Sequence, residues 1–131
     1  ECWYIAFARK INNQNVKILL EVEDTTITIN QAIYFGLIVN ELVSNSLQYA
    51  FPENKDGEIM VQAQINAENK ILLDISDNGI GISPEIELTN VKTLGLKLVQ
   101  ILAKQMQGTV SLEKKSGLVF HFFLPIDPQK N

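Results

Sequence analysis

The sequence predicts an α+β domain: a two-layer sandwich in which helices cover one face of a mixed, mostly antiparallel sheet. Two observations predict it. Segments with strand-like alternation are interrupted by two segments with helical periodicity, in the order strands, helix, hairpin, helix, hairpin. The chain has 131 residues, of which 46% are hydrophobic, so it is long enough to bury a core.

The N-terminal part contains one clear strand. Residues 1–10 fit either the tail of a helix or a strand, whereas the β-branched and apolar residues 16–22 predict a strand. Residues 25–29 alternate Thr and Ile and predict a second short extended piece. We interpret residues 1–15 as the remnant of a linker or preceding helix, and residues 16–131 as the domain.

A long, largely buried helix follows. Asn30 is a typical N-cap residue, and the predicted helix runs from Gln31 to Ala50 before the loop that contains Pro52. Its apolar residues recur at spacings of three and four: Ile33, Leu37, Val39, Leu42, Val43, Leu47 and Ala50.

The remaining segments predict two hairpins around a second helix. The hairpin strands are residues 59–65 with 71–75, and residues 110–112 with 118–124. The second helix runs from Thr93 to Met106 and ends at Gly108, a residue type that is common just past a helix.

Composition excludes several classes of function. A net charge of −4 without a basic cluster argues against nucleic acid as the main partner. One cysteine and one histidine, Cys2 and His121, cannot form a Cys/His metal cluster. No apolar run approaches the roughly 20 residues that span a bilayer. We expect a domain that is cytoplasmic and not inserted in a membrane, although a longer parent protein could be anchored in one.

The first candidate site lies on the long helix. Glu41 and Asn45 are four positions apart and therefore share a helix face, which Gln48 and Tyr49 continue. An amide oxygen at Asn45 is a hard ligand suited to Mg²⁺, and Glu41 could orient or deprotonate a nucleophile beside a γ-phosphate. Alternatively, these residues form a wetted helix edge, or Asn45 caps a neighbouring strand.

The second candidate site is the turn after residues 71–75. Asp77 could accept a hydrogen bond from an exocyclic amine such as that of adenine, and Gly79 and Gly81 let the backbone approach a ligand. The alternative is an ordinary Asx turn leaving a strand.

The third candidate is Gly95, at the start of the second helix, where free N–H groups favour phosphates. Alternatively, Gly95 is a packing glycine. The dinucleotide-binding and P-loop glycine patterns are missing from the sequence.

Taken together, these segments resemble the ATP-binding domain of the GHKL superfamily, which has the Bergerat fold. Residues 36–52 look like the N box of sensor histidine kinases, residues 77–81 like the first glycine box and residues 93–99 like the second. Residues 108–110 and 117–120 resemble the closing strands. The nearest likeness is to the subgroup with a short ATP lid.

The resemblance implies a role for each matching position. Asn45 would hold Mg²⁺ between the phosphates of ATP or ADP. Asp77 would bind the adenine amino group in a pocket shaped by Gly79 and Gly81, with Tyr49 beside the base or ribose.

Residues 82–94 would form the lid, and Gly95 and Leu96 would offer N–H groups to the phosphates. Further residues expected at the nucleotide are Gln48, Ile82, Lys92, Thr93 and Leu94.

The implied activity is that of a protein histidine kinase domain. It would transfer the γ-phosphoryl group of ATP to a histidine on a separate dimerisation domain of the parent protein, with a response regulator downstream. We expect His121 to be a sheet residue, not that acceptor.

Two alternatives stay open: an anti-sigma-type serine kinase on the same fold, and a degenerate nucleotide-binding regulatory module. Gln48, where lysine or arginine is common, and Leu118, where threonine is usual, keep the degenerate module open.

Overall fold

A computed structural model describes residues 2–11, 14–47, 56–79, 94–114 and 117–126, which contain six strands and two helices. The elements are β1 (Cys2–Ile11), β2 (Gln14–Glu23), α1 (Ile29–Asn45), β3 (Gly57–Ile65), β4 (Lys70–Asp77), α2 (Leu94–Gln105), β5 (Thr109–Lys114) and β6 (Leu118–Pro125). Neither described helix has the length and apolarity needed to cross a bilayer.

The strands form one sheet in the order β1-β2-β3-β4-β6-β5. All neighbouring pairs are antiparallel except β2–β3, which is parallel and has α1 between its strands in the chain. Both predicted hairpins are present as β3–β4 and β5–β6. In the β3–β4 turn, Asn66 Oδ1 accepts hydrogen bonds from the N–H groups of Glu68 and Lys70, and Asn69 has φ of 61°.

The hydrophobic core lies between the helices and one face of the sheet. Alternate residues of β4 (Ile71, Leu73 and Ile75) are buried, and they pair with alternate buried residues of β6. Ile38 of α1 and Val99 of α2 pack in the same cluster. The predicted two-layer α+β architecture, with helices on one face of a mostly antiparallel sheet, is therefore confirmed.

The N-terminal segment is a strand. The sequence left open whether residues 1–10 form the tail of a helix or a strand. In the structure residues 2–10 belong to β1, which pairs with β2 along its whole length, from Cys2↔Glu23 to Ile11↔Gln14. The assignment of residues 1–15 to a linker remnant and of 16–131 to the domain stays a prediction.

The start of the first helix differs from the prediction. Thr28, not Asn30, is the N-cap: its backbone is extended, and its Oγ1 accepts a hydrogen bond from the Gln31 N–H at 3.3 Å. The extended piece predicted for residues 25–29 forms no strand of the sheet, and its last residue, Ile29, already belongs to α1. Alternating Thr and Ile signalled a strand, but a threonine hydroxyl also satisfies a free helical N–H. The predicted end of this helix, residues 48–50, lies outside the described residues.

The buried face of α1 also differs from the prediction. Ile33 and Leu37 are 55% and 43% exposed, whereas Ile38 and Leu42 are buried. Apolar residues occur on both faces of this helix, so periodicity alone could not decide which face meets the sheet. The prediction that the helix is largely buried is wrong for its first half.

The second helix ends near the predicted residue, but for a different reason. Gln107, not Gly108, has positive φ, at 59°. The Gln107 N–H donates to Lys104 O and the Gly108 N–H to Ala103 O, which is the Schellman pattern. Gly108 is needed for packing against β6, because a Cβ there would lie 2.6 Å from the backbone oxygen of Phe123.

Candidate functional site

The ends of α1 and β4 meet at one end of the sheet. Ser46, the residue that directly follows α1, donates a hydrogen bond from Oγ to Asp77 Oδ2 at 2.9 Å. Ser46 keeps helical dihedrals, and its own N–H donates to Leu42 O and Val43 O. The helix end is thus fixed relative to the last residue of β4, and the first two candidate sites lie side by side.

The turn after β4 holds the second oxygen of Asp77. The Gly79 N–H donates to Asp77 Oδ1 at 2.9 Å, which is the Asx turn considered from the sequence. Gly117, which precedes β6, packs against the same residue: a Cβ at 117 would lie 2.0 Å from Asp77 O and 2.8 Å from Oδ1. Asp77 is therefore held by two hydrogen bonds and by the close approach of a glycine.

The backbone of this turn is anchored on β3. Asn78 Oδ1 accepts a hydrogen bond from the Glu58 N–H at 2.8 Å, and the Asn78 N–H donates to Glu58 O at 3.1 Å. These two bonds continue the β3–β4 pairing by one residue beyond Asp77, so the position of the carboxylate rests on regular sheet structure.

Glu41 and Asn45 both lie within α1 and are half-buried. Their spacing puts them on one face, with Asn45 next to Ser46 in the chain. The structure thus brings Asn45 and Asp77 to one end of the sheet, with Glu41 one helical turn back from Asn45.

The contacts at the end of α2 indicate where its first turn lies relative to the candidate site. The Tyr34 hydroxyl, early in α1, lies 3.4 Å from Gln105 Oε1 at the end of α2. Gly108 packs on Leu124 of β6, next to Pro125, whose carbonyl accepts from Gln31 Nε2 at 2.8 Å. Because α2 ends where α1 begins, we expect its first turn, about 18 Å away by helical rise, near the end of α1.

Other predicted site residues are not placed by these contacts. Leu94, Gly95 and Leu96 form the first turn of α2, and only their backbone is described. Six more lie outside the described residues: Gln48, Tyr49, Gly81, Ile82, Lys92 and Thr93.

His121 is a sheet residue, as expected, and it faces away from the helices. Its Nδ1 lies 2.7 Å from Asp74 Oδ1 on β4, and its Nε2 lies 2.8 Å from Glu113 Oε2 on β5. The hydrogen bond to Glu113, and then that to Asp74, raise the pKa of His121 above its ordinary value of 6.5. With a carboxylate oxygen at each ring nitrogen, the ring is best satisfied as an imidazolium that donates to both.

The sequence did not identify Ser46 as a site residue, and it placed Gly117 only at the start of a closing strand. The position of Ser46 one residue after Asn45 was a usable signal, because a hydroxyl at a helix end can reach a neighbouring strand. The approach of Gly117 to Asp77 joins residues 40 positions apart and carries no local signal.

The oxygen-bearing side chains at this end of the sheet suit a nucleotide that carries Mg²⁺. The amide oxygen of Asn45 is a hard ligand of the kind that Mg²⁺ takes when phosphates and waters supply the others, and the Glu41 carboxylate lies one helical turn away from it. Asp77 is a fixed carboxylate, which can only accept hydrogen bonds when ionised, and so it suits an amino group.

Comparison with known proteins gives one family match and several distant relatives. Residues 30–128 match the model of the family described as histidine kinase-, DNA gyrase B-, and HSP90-like ATPase. A blue-light-activated histidine kinase of Erythrobacter litoralis is 22% identical over 116 residues, which are 88% of this chain and 34% of that protein. The chain thus spans about a third of the length of this curated relative.

Solved structures share the fold. The histidine kinase domain of a blue-light-activated histidine kinase from Erythrobacter litoralis has a TM-score of 0.79 at 20% identity, covering 85% of this chain and 52% of that one. Full-length ShkA in complex with AMPPNP has a TM-score of 0.65 at 21% identity, and the match covers 88% of this chain and 27% of that one.

These matches confirm the resemblance stated from the motifs; the short-lid subgroup stays a prediction. The family model covers most of the chain and includes α1, β4 and α2. The chain therefore belongs to the family of histidine kinase-, DNA gyrase B- and HSP90-like ATPases.

Proposed function

We propose that this chain is the ATP-binding catalytic domain of a sensor histidine kinase. In this function it transfers the γ-phosphoryl group of ATP to a histidine on a separate dimerisation domain. The observation that carries the proposal is the Ser46–Asp77 hydrogen bond of 2.9 Å, because it joins the end of the helix bearing Glu41 and Asn45 to the strand end bearing the carboxylate. The histidine kinases among the related proteins support the same activity.

Each residue then has a chemical task. Asp77 accepts a hydrogen bond from the amino group of adenine, since both of its oxygens are acceptors fixed in place. Asn45 would hold Mg²⁺ through its amide oxygen, and the ion, when bound, would neutralise phosphate charge. Glu41 orients the incoming nucleophile or takes its proton. Catalysis on this account comes mainly from positioning.

Two further segments complete the proposal, the first of them outside the described residues except for Leu94. Residues 82–94 would form a lid that carries Lys92 toward the phosphates, and the first turn of α2 would offer N–H groups to them. The dimerisation domain of the same parent protein and a response regulator would be the protein partners.

Calorimetric titration with ADP, and with a non-hydrolysable ATP analogue, in the presence of Mg²⁺ tests the proposal. Asp77→Ala should weaken binding by about tenfold to a hundredfold, since hydrogen bonds to charged groups contribute about 1.5–3 kcal/mol. Asn45→Ala should weaken binding mainly in the presence of Mg²⁺.

Two variants serve as matched controls. Asp74→Ala removes a carboxylate from the opposite face of the same strand, and Asn30→Ala removes an exposed amide from the far end of the same helix. Both should bind nucleotide as the wild type does. Failure of the wild type to bind at millimolar nucleotide would contradict the proposal. Binding without phosphorylation of any supplied histidine domain would favour the degenerate regulatory module.

A further inference from the structure

Ser46 contacts the carboxylate that the proposed function assigns to the base, and the direction of this hydrogen bond is fixed. An ionised carboxylate cannot donate, so the serine hydroxyl must donate its only proton to Asp77 Oδ2, at 2.9 Å. The hydroxyl is half-buried at a helix end whose backbone N–H is already bonded. Its orientation is therefore determined without any ligand.

The other contacts of Asp77 leave Ser46 as the group that stops the carboxylate from turning. The Gly79 N–H holds Oδ1 at 2.9 Å, so with Ser46 present each oxygen has its own donor. Gly117 closes the space on the backbone side, where a Cβ would lie 2.8 Å from Oδ1. Without the Ser46 hydroxyl, only Oδ1 would be held, and the carboxylate could rotate about its terminal torsion.

We propose that Ser46 is a positioning residue that sets base selectivity by orienting the Asp77 carboxylate toward a 6-amino purine. This proposal rests on the proposed function, because it takes Asp77 as the residue that meets the base. A 6-amino group donates to the oriented carboxylate, whereas a 6-oxo group presents a second acceptor and forms no such bond. Orientation of Asp77 thus strengthens binding of adenine nucleotides and does not strengthen binding of hypoxanthine nucleotides.

Titration of ADP and IDP, with Mg²⁺, into wild type and Ser46→Ala tests this inference. The affinity of Ser46→Ala for ADP should fall about fivefold to tenfold, the effect of one hydrogen bond, while its affinity for IDP stays within about twofold. The preference for ADP over IDP should shrink by the same factor. Ser44→Ala, which removes an exposed hydroxyl two residues earlier, should keep wild-type values.

The outcomes separate this inference from the proposed function. Equal losses for ADP and IDP, or no loss for either, would overturn the role of Ser46 and leave the proposed function standing if the wild type binds ADP. Absence of ADP binding by the wild type would overturn both. Thermal melts without ligand check folding. If Ser46→Ala does not fold, Ser46→Cys replaces it, because cysteine has a similar volume and is a weaker hydrogen-bond donor. A preference of Ser46→Cys for ADP over IDP equal to that of wild type would then overturn the inference.

Discussion

At the residue scale, His121 joins three strands on the side of the sheet away from the candidate site. It sits on β6 between Asp74 of β4 and Glu113 of β5, and both carboxylates favour its protonated form. The residue opposite it on β5, Ser111, carries no charge. The histidine therefore links β5, at the end of the strand order, to the interior of the sheet by charge-assisted hydrogen bonds.

This arrangement predicts a pH-dependent stability. Because the folded-state pKa of His121 is raised above 6.5, its stabilising contribution is complete below pH 6.5 and is lost as the pH rises through the folded-state pKa. The side chain is 37% exposed, so we expect an effect below about 1 kcal/mol. Urea unfolding at several pH values should show the stability of wild type approaching that of His121→Gln as pH rises. Parallel curves for the two proteins would contradict this role.

At the element scale, α1 is fixed to the sheet at both ends by polar contacts. At its start, Gln31 is 2% exposed, and its Nε2 donates to Pro125 O at 2.8 Å. At its end, Ser46 bonds to Asp77. Neither contact was expected from the sequence, where Gln31 was simply the first residue after an assumed cap.

Removing the first contact should destabilise the fold. Gln31→Ala should lower the free energy of unfolding by about 1–3 kcal/mol, because it leaves a cavity and takes a hydrogen-bond donor from the Pro125 carbonyl. Gln64→Ala, at an exposed glutamine of β3, should change stability by less than about 0.5 kcal/mol. Denaturant unfolding measures both variants. A change in the free energy of unfolding for Gln31→Ala as small as that of the control would contradict the prediction.

The exposed face of α1 offers a stabilising change. Gly36 is exposed, and a Cβ added there would have no atom within 4 Å. Gly36→Ala should therefore raise the free energy of unfolding by about 0.5–1 kcal/mol through helix propensity. The reverse substitution at the exposed Ala32, Ala32→Gly, should lower it by a similar amount. A destabilising Gly36→Ala would show that this face is packed against something in solution.

At the scale of the whole molecule, β1 completes the sheet. It pairs with β2 over ten residues, so removing residues 1–11 would take away a full row of backbone hydrogen bonds and expose the edge of β2. We expect a loss of more than about 2 kcal/mol in the free energy of unfolding, since each such bond contributes about 0.5–1.5 kcal/mol. Residual folded protein should bind ADP with wild-type affinity. An unchanged melting temperature would contradict this structural role of β1.

The sequence was sufficient for features that depend on local pattern. Alternation identified β3, a dense apolar run identified β4, and turn residues such as Asn66 identified the hairpin between them. The motifs placed Asn45 and Asp77 as candidates. The parallel β2–β3 pairing and the Ser46–Asp77 bond were not predictable, because they join segments separated by other elements and leave no periodic signal.

The strand order also has a consequence for folding kinetics. Three neighbouring pairs, β1–β2, β3–β4 and β5–β6, are hairpins between adjacent segments, whereas β4–β6 pairs residues as distant as Lys70 and Pro125. Local hairpins close quickly, and the distant pairing must wait for the loop entropy to be overcome. Gly117 precedes β6 and can approach Asp77 only when β6 has paired with β4, so we expect a nucleotide to bind the complete fold and no earlier species. A nucleotide at a concentration of about a hundred times its Kd would add about 2.7 kcal/mol to the free energy of unfolding. It would slow unfolding without raising the rate at which the hairpins form.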